Sequence, residues 1–244
     1  MRYFIHFAYD GTNYHGWQIQ PGANSVQEEI QKALSTLLRR NVEIVGAGRT
    51  DAGVHARRMA AHFDWDEAID CDQLAYRLGR MLPRDIAIDR IERVPDDLHA
   101  RFSATRRTYH YYLHTQRDPF CRQYSCELHY ELDFERMNEA GRILCTYEDF
   151  AAFCKSHSDV KTTFCRVTEA RWIQVDDTHW YFRISANRFL RNMVRAVVGT
   201  MIDVGRGRVS LEDFRGIVEG RKRTKAGESM PAHALFLEEV SYES

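Results

Sequence analysis

GAGRTDAGVHA, residues 46–56, is a stretch that no regular helix can hold. Three glycines fall within eight positions, and each costs about 1 kcal/mol in a helix interior with no long apolar face to offset it. The run follows Val42-Glu43-Ile44-Val45, which alternates as a strand, so a loop at a strand end is expected. Its single acid, Asp51, lies between Arg49 and His55, with glycines on either side. Glycines let the backbone approach a bulky ligand, and a neighbouring guanidinium holds or screens the carboxylate. Two readings of Asp51 follow: a lone acid presented as nucleophile or base, or a structural turn in which it caps a helix or bonds its own backbone. A phosphate-cradling loop does not fit, because both the P-loop spacing with its Lys-Ser/Thr and a strand-GxGxxG-helix arrangement are missing.

The whole chain frames that choice. With 244 residues, 44% of them hydrophobic, it can bury the core of one large domain or two small ones. The opening MRYFIHFAYDG is interrupted by His6 and ended by Asp10, which suits neither a signal peptide nor an anchor. The apolar stretch Met193–Val204 is broken by Arg195 and Asp203, so no membrane span and a cytoplasmic location are expected. Cys71, Cys121, Cys126, Cys145, Cys154 and Cys165 contain no Cys-x-x-Cys pair, and reduced, mostly buried thiols are the expected reading. His55 and His62 could meet a metal with Asp51, yet no His-x-x-x-His helix pattern supports this, and no metal is assigned. Formal net charge is −1, which excludes a nonspecific polycation but leaves room for a local basic groove. Only five of the 34 basic residues are lysine; the arginine excess suits bidentate phosphate contacts and base stacking, or reflects genomic composition.

Around the loop the chain reads as α+β. Arg2–Tyr9 alternates as a strand and Asp10-Gly11-Thr12-Asn13 as a turn. Ser25 and Glu28 have capping-box spacing, and Val26, Ile30, Ala33, Leu34, Leu37 and Leu38 follow at helical intervals to about Arg40. Ala61–Trp65 reads as a short strand, Asp70 as the cap of a helix carrying Leu74, Leu78 and Met81 and stopping before Pro83, and Ile86–Ile91 as another strand. That order, strand-helix-strand-strand-helix-strand, is the order of a ferredoxin-like or RNA-recognition-like sandwich. Val94–Thr105 is the expected crossing between a first half, 1–105, and a second, 106–244.

The second half repeats the theme. Thr108–Thr115 alternates as a strand with three tyrosines, which in strands are usually core or sheet-face residues. A helix is expected over Asp133–Cys145, then strands Phe164–Val175 and Trp180–Ser185 across an Asp-Asp-Thr turn. Asn187–Val204 is the strongest helix, with Gly205 closing it. Arg195 interrupts its apolar pattern and calls for an anionic partner. Ser210 and Asp213 suggest a second capping box, and Arg221–Lys225 a basic, flexible segment that is either a solvated loop or an RNA backbone contact. Leu235–Tyr242 looks like a closing strand.

GAGRTDAGVHA resembles the catalytic motif of the tRNA pseudouridine synthase I family. Further blocks match in the same order: YDGTNYHGWQIQP from Tyr9, VQEEIQKAL from Val26, PDDLHARFSAT from Pro95 and NRFLRNMVRAVVG from Asn187. Together they span nearly the whole chain. The resemblance implies the pseudouridine synthase fold, two ferredoxin-like halves with mainly antiparallel sheets joined side by side, the first carrying the catalytic loop and the second completing the cleft. It implies isomerisation of uridine to pseudouridine at positions 38, 39 and 40 of the tRNA anticodon stem-loop by a homodimer, without cofactor. Asp51 would be the nucleophile. Tyr109, by register from FSAT, would lie against the target base, Arg195 of the Met-Val-Arg motif would pair with Asp51, and Arg49 would enter the space of the flipped base or hold a phosphate. Two residues depart from the family pattern: Met59, where many relatives have glutamine, and Ala234, where they often have glycine. The alternatives from other classes are an RNA-recognition-like binding module, in which an acid beside RNA would have no use, and a metal-dependent hydrolase, which would need clustered His and acid ligands.

Overall fold

Arg2–Tyr9, strand β1, is the middle of a sheet and is buried on both faces through Tyr3, Phe4, Ile5, Phe7 and Tyr9. The computed structural model describes residues 1–155 and 160–242. The chain divides into one unit of Met1–Thr105 together with the chain from Phe236, and a second of Arg106–Leu235.

In the first unit, helix α1 (Val26–Leu38) follows β1 and is capped by Ser25, whose side chain accepts the Glu28 N–H at 3.3 Å. Glu28 itself pairs with Lys32 at 2.7 Å, so only one half of the expected capping box is seen. Strand β2 is only Val45–Gly46. Val42 and Ile44 are buried but lie outside the ladder, because side chains of α1 take their backbone groups: Val42 N–H donates to Ser35 Oγ at 3.0 Å, Ile44 N–H to Gln31 Oε1 at 3.2 Å, and Gln27 Nε2 donates to Ile44 O at 2.9 Å. Strand β3 (His55–Asp64) starts six residues before the expected Ala61, since its ladder with β1 runs back to the Tyr9–Ala56 pair. Helix α2 (Cys71–Met81) is capped by Asp70, which accepts the Gln73 N–H at 3.0 Å. Leu74 and Leu78 are buried as expected, whereas Met81 is 46% exposed and Leu82 takes the inner position. Strand β4 (Ile86–Val94) completes the set; β1 pairs antiparallel with β3 on one side and β4 on the other, and β2 adds to β3. The closing strand, Leu235–Tyr242, joins β3 in parallel through the pairs His55–Phe236 and Ala56–Leu237.

The second unit has β5 (Ala104–His114), β6 (Cys126–Glu127), α3 (Phe134–Leu144), β7 (Val167–Gln174), β8 (His179–Ala186), α4 (Met193–Gly205) and α5 (Leu211–Gly220); the closing strand is β9. β8 lies between β5 and β7, antiparallel to both, and β6 pairs with β5 in parallel. Phe164 stands outside β7, exposed, because residues 149 and 164 form only an isolated bridge. The expected helix over 187–204 begins at Met193. Asn192 takes a left-handed conformation (φ 65°), and Asn187 is used to tie the chain to β7's entry, accepting Arg166 N–H at 2.8 Å. Gly205 is the last residue inside α4 rather than a cap: a Cβ there would stand 2.5 Å from Met137 Sδ of α3. Ser210 and Asp213 make the full reciprocal capping box at the start of α5. Both units are α+β, as the element pattern predicts, and their sheets are mainly antiparallel, as the resemblance implies. Met59 and Ala234, the two departures from the family pattern, are both buried.

Candidate active site

Residues 47–54 form the loop between β2 and β3, and the segment Tyr9–Trp17 is wrapped against it. Tyr9 and Thr50 share a hydroxyl–hydroxyl hydrogen bond of 2.8 Å. Trp17 N–H donates to Thr50 O at 3.3 Å, and Gly53 N–H donates to Tyr14 O at 3.3 Å. Within the loop, Val54 N–H donates to Asp51 O at 3.2 Å and closes a tight turn. Thr50 is therefore held by both side chain and carbonyl, and Asp51 follows it half-buried at the head of the turn. No helix starts in the loop, which runs directly into β3, so Asp51 is not a helix cap. Arg49, two residues earlier, is exposed.

The close fit depends on Gly16. Its φ is +95°, and a Cβ there would lie 2.4 Å from Thr50 O, so this backbone can approach the loop only without a side chain. The same segment serves α1: Val26 N–H donates to Gly16 O at 3.3 Å and Gln27 N–H to Trp17 O at 3.0 Å, satisfying free donors of the helix's first turn. Its outer side is anchored on Asp85, whose carboxylate accepts Tyr14 O–H at 2.6 Å while its carbonyl accepts Asp10 N–H at 2.9 Å. Burial, with the Asp85 carboxylate second, pushes the Tyr14 phenol well above its usual range, so it stays a donor at neutral pH.

The two histidines of the sequence-level metal reading have other employment. His55 is buried against Phe236 with ring centroids 4.5 Å apart, and its Nδ1 lies 3.0 Å from both Gly11 N and Asp10 Oδ1. The ring either accepts the Gly11 N–H or, protonated, donates to Asp10; the two cannot hold at once. His62 Nδ1 accepts Ala100 N–H at 3.2 Å, and burial, then the charge of Arg2, brings the imidazole down to about 4. Among the described residues, the His, Cys and acid groups close enough to share an ion are Asp118, Cys121 and His179 of the second unit.

The remaining candidates belong to the second unit. Tyr109 is on β5 opposite Ile184 of β8, half-buried, with its ring edge-on to Phe189 at 5.0 Å and 85°. Phe189 lies in the irregular 187–192 stretch that sequence periodicity assigns to a helix. Arg195, in the first turn of α4, donates from Nε to Met230 O, and its own carbonyl accepts Met230 N–H at 3.1 Å. The segment that meets it lies just beyond the expected basic segment Arg221–Lys225. Arg223–Lys225 is a short 3₁₀ turn in which the Arg223 guanidinium donates to Gly227 O at 3.0 Å and Ser229 Oγ at 2.8 Å, and Gly227 N–H donates to Thr200 Oγ1 at 2.9 Å. Arg223 thus organises the strap that holds the start of α4. Sequence reasoning did not find Tyr9, Tyr14, Gly16, Trp17 and Asp85 as supports of the loop; the block YDGTNYHGW carried the signal for four of them, without saying what they contact.

A family model described as tRNA pseudouridine synthase matches residues 5–103 and 147–243. Proteins named tRNA pseudouridine synthase A are similar over nearly the full length. That of Bacteroides fragilis is 56% identical over 242 residues, covering 99% of this chain and 96% of its own. That of Porphyromonas gingivalis is 54% identical, covering 100% and 98%, and that of Bacillus licheniformis 39% identical, covering 100% of each.

Proposed function

The chain belongs to the tRNA pseudouridine synthase family, and we propose that it isomerises uridine to pseudouridine at positions 38, 39 and 40 of the tRNA anticodon stem-loop, with Asp51 as the nucleophile. The observation that carries this reading is the Asp51–Val54 turn, which Tyr9, Tyr14 and Trp17 hold from outside at Thr50 and Gly53. A carboxylate on so constrained a loop is preorganised, as a nucleophile must be. An RNA-binding module would gain nothing from it, because a carboxylate repels phosphate.

The reaction breaks the N1–C1′ bond of uridine, turns the ring and joins C5 to the same sugar carbon; the C5 proton leaves and N1 is protonated. No electron or outside group is exchanged, so a carboxylate acting as nucleophile or base suffices. A stacked uridine cannot reach a half-buried acid, so the base must leave the helix, at a cost of a few kcal/mol. We assign Tyr109 to stack on the extruded uracil, Arg195 to supply the cation the reacting carboxylate needs, and Arg49, exposed beside Asp51, to hold a phosphate or fill the vacated space. Three adjacent target positions in several tRNAs require recognition of shape and phosphate over base identity, and a homodimer is the assembly we propose for it.

The test follows from the fate of the C5 hydrogen. An unmodified tRNA transcript carrying tritium at uridine C5 is expected to release label to water in the presence of the protein. Transcript that is bound and retains all its tritium would remove the enzyme reading and leave the binding module.

A further inference from the structure

One group of side chains lies outside everything assigned above. Asp118 and Cys121 sit in the connection between β5 and β6, and His179 opens β8 just after the β7–β8 turn. Cys121 Sγ is 3.8 Å from His179 Nε2, and His179 Nε2 is 3.5 Å from Asp118 Oδ2. Zinc bond lengths of about 2.3 Å to sulfur and about 2.0–2.2 Å to nitrogen and oxygen, at tetrahedral angles, place such ligand pairs about 3.4–3.6 Å apart. The two measured separations are close to the edges of that tetrahedron.

The orientation of the donors points the same way. His179 Nδ1 lies 2.9 and 3.0 Å from the two Asp176 oxygens, which holds a proton on Nδ1 and turns Nε2, the atom a metal would take, toward the thiol and Asp118. Asp176 is itself fixed, accepting Thr178 N–H at 2.8 Å and His179 N–H at 2.9 Å. On the other segment, Asp118 Oδ1 accepts Phe120 N–H at 2.8 Å, so Oδ2 is the oxygen turned toward His179. Across that 3.5 Å gap the Asp118 carboxylate can meet either a proton on Nε2 or a cation bound to it, and a thiol beside them adds a third donor atom for a metal. Next to this group, the buried ring of His114 stacks on His179 at 5.9 Å, and its Nε2 has no hydrogen-bond partner, the Glu127 carboxylate being 3.8 Å away. This corner of the unit therefore holds a second imidazole whose polar edge the protein leaves unsatisfied.

We propose that Asp118, Cys121 and His179 bind a divalent zinc-type cation, with Asp176 orienting His179 from behind and solvent completing the coordination. A thiolate, an imidazole and a carboxylate form a borderline-soft set that suits zinc over magnesium or calcium. On binding, the Cys121 thiol gives its proton to solvent and the sulfur bonds the metal as thiolate. The ion would staple the Thr115–Tyr124 connection to the β7–β8 turn. It has a structural role and takes no part in the chemistry assigned to Asp51. The Cys-x-x-Cys search misses such a site because its one cysteine and its histidine are 58 residues apart in sequence and meet only through the β5–β8 pairing.

Cobalt(II) is the probe, because a tetrahedral thiolate site gives it intense visible bands and a sulfur-to-metal charge-transfer band. Titration of chelator-treated full-length protein is expected to saturate at one equivalent, and added zinc to bleach the signal. Cys121→Ser should abolish the charge-transfer band, Cys145→Ser, at an exposed thiol, should keep it, and Asp176→Asn should weaken cobalt affinity about 10- to 100-fold. A protein that develops no thiolate band, or one whose band survives Cys121→Ser, overturns the proposal. Circular dichroism of each variant separates loss of the site from loss of the fold.

Discussion

Gly16 shows how much of the candidate site rests on one missing side chain. A methyl group there would sit 2.4 Å from Thr50 O at a φ of +95°, whereas Gly22, at φ +73°, has nothing within 4 Å of its would-be Cβ. Gly16→Ala is therefore expected to cost on the order of 2–4 kcal/mol in urea unfolding and to lower activity further by moving Thr50 and Asp51. Gly22→Ala, which meets only the backbone penalty, should cost about 1 kcal/mol and leave activity near wild type. Equal effects would mean that the segment is not clamped on the loop. His62 gives a second prediction. Its ordinary pKa of about 6.5 falls to about 4 in the fold, and the charges facing it are Arg2 and His99, which disfavour the proton, and Asp64, which favours it. Between those values the unfolded chain binds the proton and the native one does not, so stability is complete above about pH 6.5 and is lost as pH falls toward 4. The contribution is on the order of 3 kcal/mol. His62→Asn, which keeps an acceptor for Ala100 N–H, should flatten the fall of the unfolding midpoint across that window; an unchanged slope would assign the acid sensitivity to other groups.

At the scale of elements, the caps were the most legible features, because a cap is a local bargain among four residues. Ser25, Asp70 and Ser210 each accept the N–H three residues on, and each stands where the sequence pattern places it. The reciprocal half is less local. Asp213 returns its carboxylate to Ser210 N–H, whereas Glu28 finds Lys32 one turn along and takes it instead. Removing Asp213 by alanine substitution should thus cost about 1 kcal/mol, near the effect of Ser210→Ala, while Glu28→Ala should cost only a few tenths; chemical denaturation of the three variants decides it. What local pattern could not give were the boundaries set by distant partners. β3 reaches back to His55 because β1 is there to pair with it, Val42–Ile44 leave the ladder because side chains of α1 claim their backbone, and the stretch 187–192 abandons a helical period once Asn187 bonds Arg166 and Asn192 turns left-handed. The loop carrying Asp51 was legible as a loop from its glycines alone. Its clamp was not, since Tyr9 and Thr50 are 41 residues apart.

For the whole molecule, composition is informative in an indirect way. A chain with net charge −1 that is to bind tRNA must gather its arginines locally, and a dimer doubles the surface over which an L-shaped RNA can be held. The proposed homodimer should give a solution mass twice the 28.6 kDa of the chain at micromolar concentration, and a monomeric mass at concentrations that sustain activity would remove it. The fold itself supports many functions, so the account stands or falls on the loop. The direct measurement is pseudouridine mapping of unmodified tRNA transcripts treated with wild-type protein or with Asp51→Asn, alongside a binding assay for both. The account predicts modification at positions 38–40 by wild type, and tRNA binding by Asp51→Asn with the rate down at least about 10³-fold. A variant that still forms pseudouridine within tenfold of the wild-type rate would contradict it.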